Sequence, residues 1–296
     1  MKESIKESKR IILMIAKLVI PFSMLSEVLQ YLGVVDYVGF IFEPATQLLK
    51  LPADVAVAFA ASFFLNIYAG IAVASGLDLS PYEWTIVGTF IAICHSIPLE
   101  SAVMKKVGFP IHIHWISRLC LGILGAWVAS FLTPQELVGS VGSSQVKAEY
   151  ASFGALVLGA FSNALLLTLK ISILVATLVV AFDLIKKRAF FKALLDKHTY
   201  LSSMTVGCLL GVTYGAGILL KDIKSVEEEQ RLYLLTFLLL AHGLIEETLI
   251  FAIFGADIVA ILLIRLGIAI SVVVILIFIT KKLITHKFVR LKSTNE

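Results

Sequence analysis

Runs of about 20 apolar residues recur along this chain, separated by short polar stretches, and a run of that length suits a helix crossing the hydrocarbon core of a bilayer. The pattern predicts eight crossings, over residues 11–33, 53–76, 84–104, 111–132, 163–185, 200–220, 232–254 and 258–280. The runs are continuous, whereas the strands of a membrane barrel alternate in short segments, so an all-α polytopic membrane protein is the expected fold class. Two shorter segments, residues 34–50 and 188–198, read as amphipathic helices lying at the interface. Residues 150–162 are apolar and contain Gly154 and Gly159. They read either as a lead-in to the fifth span or as an extra crossing.

Composition sharpens this picture. The 296 residues are 59% hydrophobic and 16% charged, with a mean hydropathy of +0.95, too apolar for an ordinary soluble domain. The opening MKESIKESKR carries both signs of charge with no small-residue cleavage site after it, so the first span is expected to be a permanent anchor. Cys94, Cys120 and Cys208 fall inside expected spans without metal-type spacing and read as small buried residues. The net charge of +4 reflects basic membrane flanks and gives no reason to invoke nucleic acid. The expected setting is the cell membrane, multi-pass, with lipid as the first partner. Lys and Arg are denser in the connections on the N-terminal side, which favours cytoplasmic termini; the basic run from Lys186 to Lys197 opposes it.

Polar residues inside the apolar runs form a repeating pattern. His95, Glu100 and Arg118 recur 147 positions later as His242, Glu247 and Arg265. Ala69, Gly70 and Ile71 recur at the same offset as Ala216, Gly217 and Ile218, and Glu100-Ser101 as Glu247-Thr248. The expected organisation is therefore two homologous four-helix repeats, residues 1–132 and 150–296, joined by a Gly, Ser and Gln-rich linker over 133–149. Four crossings per half make the repeats parallel, and an odd number would invert them.

Ionisable groups in hydrocarbon are costly, so they persist where they are paired or functional. Glu100 and Arg118 flank a tight connection at similar depth, so they read as a buried ion pair, with Glu247 and Arg265 as its copy. His95 and Glu100 are five positions apart, about 140° around an ideal helix, and do not share a face unless the helix is broken. Pro98 stands between them as a candidate kink, and Gly243 follows His242. Glu246 has no acidic counterpart, Leu99 standing in its place, and it lies four residues after His242 on one face. That pair suits a proton or, as a lesser reading, a divalent metal. Two adjacent carboxylates do not ionise together easily, which suits proton exchange. Asn66, Tyr68 and Tyr214 lie beside Gly70 and Gly217 and are candidate supporting contacts, whereas the glycines read as close-packing positions. His112 and His114 read as solvated groups near the interface.

The stretch IPFSMLSEVLQYLGVVDYVGFIFEPATQLLKLPADVAVAF, followed by NIYAGIAVASG and CHSIPLESAVMKKVG, resembles the Gate or nucleoside-recognition domain of bacterial and archaeal membrane proteins. That domain is similar to segments of ferrous-iron transporters, concentrative nucleoside transporters and spore-maturation proteins. The resemblance is clearest over residues 20–108, and the second half, with AHGLIEETLIF, looks like a diverged copy. It implies a membrane location, a paired architecture and a transport-like activity. No G-x-x-x-x-G-K-[ST] loop is present, so nucleotide-driven action needs a separate subunit. The expected function is a transporter or permease of a small solute or ion with a polar site between the repeats. Proton coupling is its simplest energy source, with no other cofactor and a homo-oligomer or second membrane subunit as candidate partners. Two other readings stay open. In a non-catalytic scaffold the Glu-Arg pairs are structural. An intramembrane hydrolase is suggested because Glu246-Glu247 is similar to the paired glutamates of CAAX-type membrane proteases, although Phe251 stands where that motif has Arg.

Overall fold

The computed structural model describes residues 2–32, 40–106, 110–134, 150, 152–186, 188, 208 and 227–293. Every regular element among these is helical. Among the described residues six helical stretches are long and apolar enough to cross a membrane: Ile12–Leu29, Pro81–Ala102, Ile111–Leu132, Phe153–Ala181, Gln230–Phe254 and Ile258–Lys281. The crossing expected over residues 200–220, the linker over 135–149, and Tyr214 and Gly217 lie outside the described residues.

The chain forms two compact units, Met1–Arg188 with Ile245–Ile264, and Ala189–Leu244 with Arg265–Glu296. In the first unit α1 (Lys2–Leu32) leads to a short α2 (Glu43–Leu49) that ends at Lys50 in left-handed backbone, φ 54°. The segment expected to cross as the second span does not run straight. It is split into α3 (Val55–Phe64) and α4 (Ile67–Ala74), each too short for a membrane of about 30 Å. In one continuous helix Ala58 and Gly70 would be about 18 Å apart. Instead, a Cβ on Gly70 would stand 3.1 Å from the Ala58 carbonyl oxygen and 2.5 Å from Ser62 Cβ, so α4 folds back along α3. Asn66 makes the turn possible: its Oδ1 accepts the Ala69 N–H at 3.0 Å and caps α4.

Beyond the hairpin, α5 (Pro81–Ile93) opens with Ser80 and Glu83 in a reciprocal capping box and Pro81 in its first turn. A three-residue interruption separates it from α6 (Ile97–Lys106), and α7 (Ile111–Leu132) follows. Next, α8 (Phe153–Lys186) is one unbroken helix packed along α1. Residues 153–162 are thus the opening turns of the fifth span rather than a separate crossing. Glu27 on α1 ties the two together, accepting from the Tyr150 hydroxyl at 2.8 Å and from Asn163 Nδ2 at 3.2 Å. Tyr150→Phe is expected to cost about 0.5–1.5 kcal/mol, read as a lower thermal midpoint. Burial first, and then the bond to Glu27, push the Tyr150 phenol up to about 12. A folded value above the ordinary one of about 10 means this contribution is whole below about pH 10 and is lost as pH rises through about 12.

The chain resumes with α9 (Glu228–Ala241), then α10 (Leu244–Ile250), a 3-10 turn (Phe251–Phe254) and the long α11 (Ile258–Ser293). Within the first unit the 3-10 turn packs on α5. Phe254 stacks on Trp84 with ring centroids 3.9 Å apart, and the Asp257 N–H donates to Thr85 Oγ1 at 2.8 Å. In the second unit the Tyr233 hydroxyl meets Thr280 Oγ1, joining α9 to the C-terminal part of α11.

Candidate functional site

Two apolar helices are interrupted in the same way. Between α5 and α6, Ser96 adopts φ 52°, and between α9 and α10, Gly243 adopts φ 57°. Left-handed backbone stops an α-helix, and it suits glycine better than serine. Each interruption follows a histidine whose Nδ1 lies 2.9 Å from the carbonyl four residues earlier, His95 to Ile91 and His242 to Leu238. A carbonyl oxygen only accepts, so Nδ1 carries the hydrogen in both rings and Nε2 is left as the atom that gains or loses a proton.

A break inside an apolar span frees backbone groups that need partners. At the first break several of them find one. The Ser62 hydroxyl, which donates to the Phe59 carbonyl at 2.9 Å, shares its hydrogen with the Cys94 carbonyl at 3.4 Å; the Ser96 N–H donates to the Ser62 carbonyl at 2.9 Å, and the Glu100 N–H donates to the Ser96 carbonyl at 2.9 Å. The His95 carbonyl takes Arg118 Nη2 at 3.3 Å. At the second break Arg265 Nη2 donates to the His242 carbonyl at 3.0 Å. Arg118 and Arg265 are 1% and 0% exposed, so both guanidinium groups are fixed inside the protein. The folded-back hairpin and an arginine together hold the first break open.

Pro98 plays a different part from the kink expected of it. The helix is already broken at His95 and Ser96, and Pro98 sits exposed in the first turn of α6, where its missing N–H costs nothing. Because of the break, His95 and Glu100 do meet, with His95 Nε2 3.8 Å from Glu100 Oε1. Arg118 Nη2 lies 3.2 Å from Glu100 Oε1 and 3.1 Å from Oε2. On its other side His95 Nε2 is 3.6 Å from Glu247 Oε1. Thus one imidazole nitrogen stands between a carboxylate of each sequence half, all within the first unit. Both side chains are only 15% exposed.

The remaining candidates are placed as follows. Glu246 is half-buried beside Glu247 in the first turn of α10, where carboxylates suit the positive end of a helix. Tyr68 is half-buried and close enough to Glu246 and Glu247 for their charges to act on it. Asn66 is engaged in capping α4. His242 and Arg265 belong to the second unit and are joined there through the His242 carbonyl. Cys94 and Cys208 are buried as expected of small apolar residues, but Cys120 is exposed on the face of α7. Its position shows that apolar helix surface here faces outward.

Two groups escaped the sequence reading. Ser62 carries no motif and is found only through the hairpin. His114 is fully buried, contrary to the expectation of a solvated group, whereas His112 is exposed. The signal was its spacing: His114 lies four residues before Arg118, on the same helical face.

Long apolar helices, with charge buried at helix breaks inside them, define a polytopic integral membrane protein. The chain is similar to YvoD of Bacillus subtilis (strain 168), described as an uncharacterized membrane protein, with 27% identity over 273 residues that cover 86% of this chain and 87% of that one. No protein-family model matches the chain, and no solved structure matches it.

Proposed function

We propose that this protein is a proton-coupled transporter or permease of a small solute or ion, built from two related repeats, in which His95 exchanges a proton with Glu100 and Glu247. The observation that carries the reading is His95 Nε2, buried and 3.6–3.8 Å from both carboxylates, with its Nδ1–H fixed on a backbone carbonyl. A proton on Nε2 turns both contacts into ion pairs, and its loss leaves a neutral ring between two acids. Broken helices near polar sites are a common construction in secondary transporters, because freed carbonyls and half-helix ends line a cavity. The matching breaks at His95 and His242 favour the duplication, as does the constant offset in sequence. Kinship with the Gate or nucleoside-recognition proteins rests on the resemblance over residues 20–108.

A scaffold reading is favoured by one observation: Arg118 binds both the Glu100 carboxylate and the His95 carbonyl, as a purely structural clamp would. Flux separates the two. Full-length protein is reconstituted in vesicles holding a pH-sensitive dye, and a potassium diffusion potential drives protons inward. Wild type is expected to acidify the lumen, and Glu100→Gln with Glu247→Gln to slow this by at least about a hundredfold, the scale of a lost acid-base group. Undiminished flux in that double variant sinks the mechanism. The scaffold reading instead expects no flux in wild type and impaired assembly in the variant.

A further inference from the structure

We infer that His114 is a second proton-carrying histidine, coupled to His95 through the two oxygens of Glu100; the inference deepens the transport reading and rests on it for its physiological sense. Ser101, next to Glu100 on α6, fixes the state of this ring. Its hydroxyl has one hydrogen, directed at the Ile97 carbonyl 2.6 Å away. Trp115 Nε1–H donates to the same oxygen at 2.8 Å. His114 Nδ1 lies 2.9 Å from it, and with the hydroxyl hydrogen engaged elsewhere, the ring must be the donor. Nδ1 therefore carries a hydrogen, and Nε2 is the variable site.

That nitrogen is the unusual feature. His114 is 0% exposed, and its Nε2 has no hydrogen-bond partner, a costly arrangement for a ring that serves only as packing. It points at Glu100 Oε2 from 3.7 Å, while His95 Nε2 faces Glu100 Oε1 from 3.8 Å. The two imidazoles are thus locked in the same tautomer, by different partners, with their basic nitrogens toward opposite oxygens of one carboxyl group. Arg118, one turn after His114, holds that group in place.

The order His114, Glu100, His95, Glu247 is a chain of four exchangeable sites with gaps of 3.7, 3.8 and 3.6 Å. A proton on Glu100 Oε2 passes to His114 Nε2 as the O–H bond breaks and an N–H bond forms, leaving a carboxylate and an imidazolium. The gap must first close to about 2.7–2.9 Å by side-chain rotation, or be spanned by one water. Among the described side chains, the other charged groups on elements packed against α7 are engaged or turned away. Glu83 sits in the capping box of α5, Glu43 on α2 bonds Gln47, Lys105 on α6 is exposed, and α3 has no ionisable residue. Glu100 and Arg118 are the charged groups that face the ring.

The test uses the full chain, with nitrogen-15 in its histidines, in lipid nanodiscs for magnetic resonance and in dye-loaded vesicles for flux. Above the ordinary histidine range, His114 is expected to show the Nδ1–H tautomer, and its Nε2 resonance to move on Glu100→Gln. An Nε2–H tautomer, or a resonance indifferent to Glu100→Gln, overturns the inference whatever the flux. In vesicles His114→Gln, which keeps a polar side chain but carries no proton, is expected to slow acidification at least about tenfold with the thermal midpoint retained. Wild-type rates in His114→Gln, beside lost flux in the Glu100 and Glu247 double variant, overturn the inference and leave the transport reading standing. Absent flux in wild type overturns the transport reading and leaves His114 to the resonance result. Should His114→Gln not fold, Ser101→Ala serves: a mixture of tautomers and slower uptake are expected, and no change in either overturns the inference.

Discussion

Arg118→Met is expected to destabilise the protein by about 3–5 kcal/mol, the scale of removing one partner from a buried ion pair. The guanidinium is 1% exposed and binds the Glu100 carboxylate together with the His95 carbonyl at the helix break. Met fills much of the volume but leaves both acceptors in an apolar surrounding. Arg118→Lys keeps the charge as a single point, without the planar fork, and is expected to fall between. The informative comparison is Arg118→Met combined with Glu100→Gln. Removing both charges is expected to recover part of the loss, leaving mainly the cost of the bare His95 carbonyl. Thermal midpoints in lipid nanodiscs measure all of these. A midpoint unchanged by Arg118→Met would show that the guanidinium does not hold the break. Arg265→Met is expected to be harmful as well, since Arg265 donates to the His242 carbonyl.

That arginine also shows how far the sequence could be read. Its charge in an apolar run and its distance from Glu100 were enough to suggest a pair, because a hairpin brings such positions to similar depth. The carbonyl it binds was not legible, since a backbone partner leaves no mark in residue types. The break was half legible. Gly243 is an ordinary helix terminator, but Ser96 is not, and its φ of 52° goes with the bond its N–H donates to the Ser62 carbonyl, a partner that only the folded chain supplies. The hairpin α3 and α4 was misread for a related reason. Hydropathy sums residue types over a window and is blind to direction, so two short apolar helices score as one crossing. Asn66 was the clue, acting as a helix cap in the middle of an apolar run. Nearness to the span end points to a solvated His114, but its register with Arg118 turns it inward, and register decides which way a helical residue faces.

The largest effect away from the charged groups is expected at Gly70, and Gly267 provides its opposite. Both glycines lie in apolar helices and read alike in sequence. At Gly70 a new Cβ would stand 2.5 Å from Ser62 Cβ and 3.1 Å from the Ala58 carbonyl oxygen. Neither neighbour is the loose end of a flexible side chain, so the hairpin itself must open. Gly70→Ala is therefore expected to cost about 1–3 kcal/mol, as overpacking does. Because Ser62 bonds to Cys94 and Ser96, moving it also disturbs the backbone that aims His95. Proton flux is then expected to fall together with stability. At Gly267 a Cβ meets nothing within 4 Å, so Gly267→Ala simply replaces a poor helix former. It is expected to stabilise the protein by up to about 1 kcal/mol and to leave flux intact. Paired melting and flux measurements decide the matter. Equal effects at the two positions would mean that α4 does not lie against α3, and that Ser62 does not hold the break.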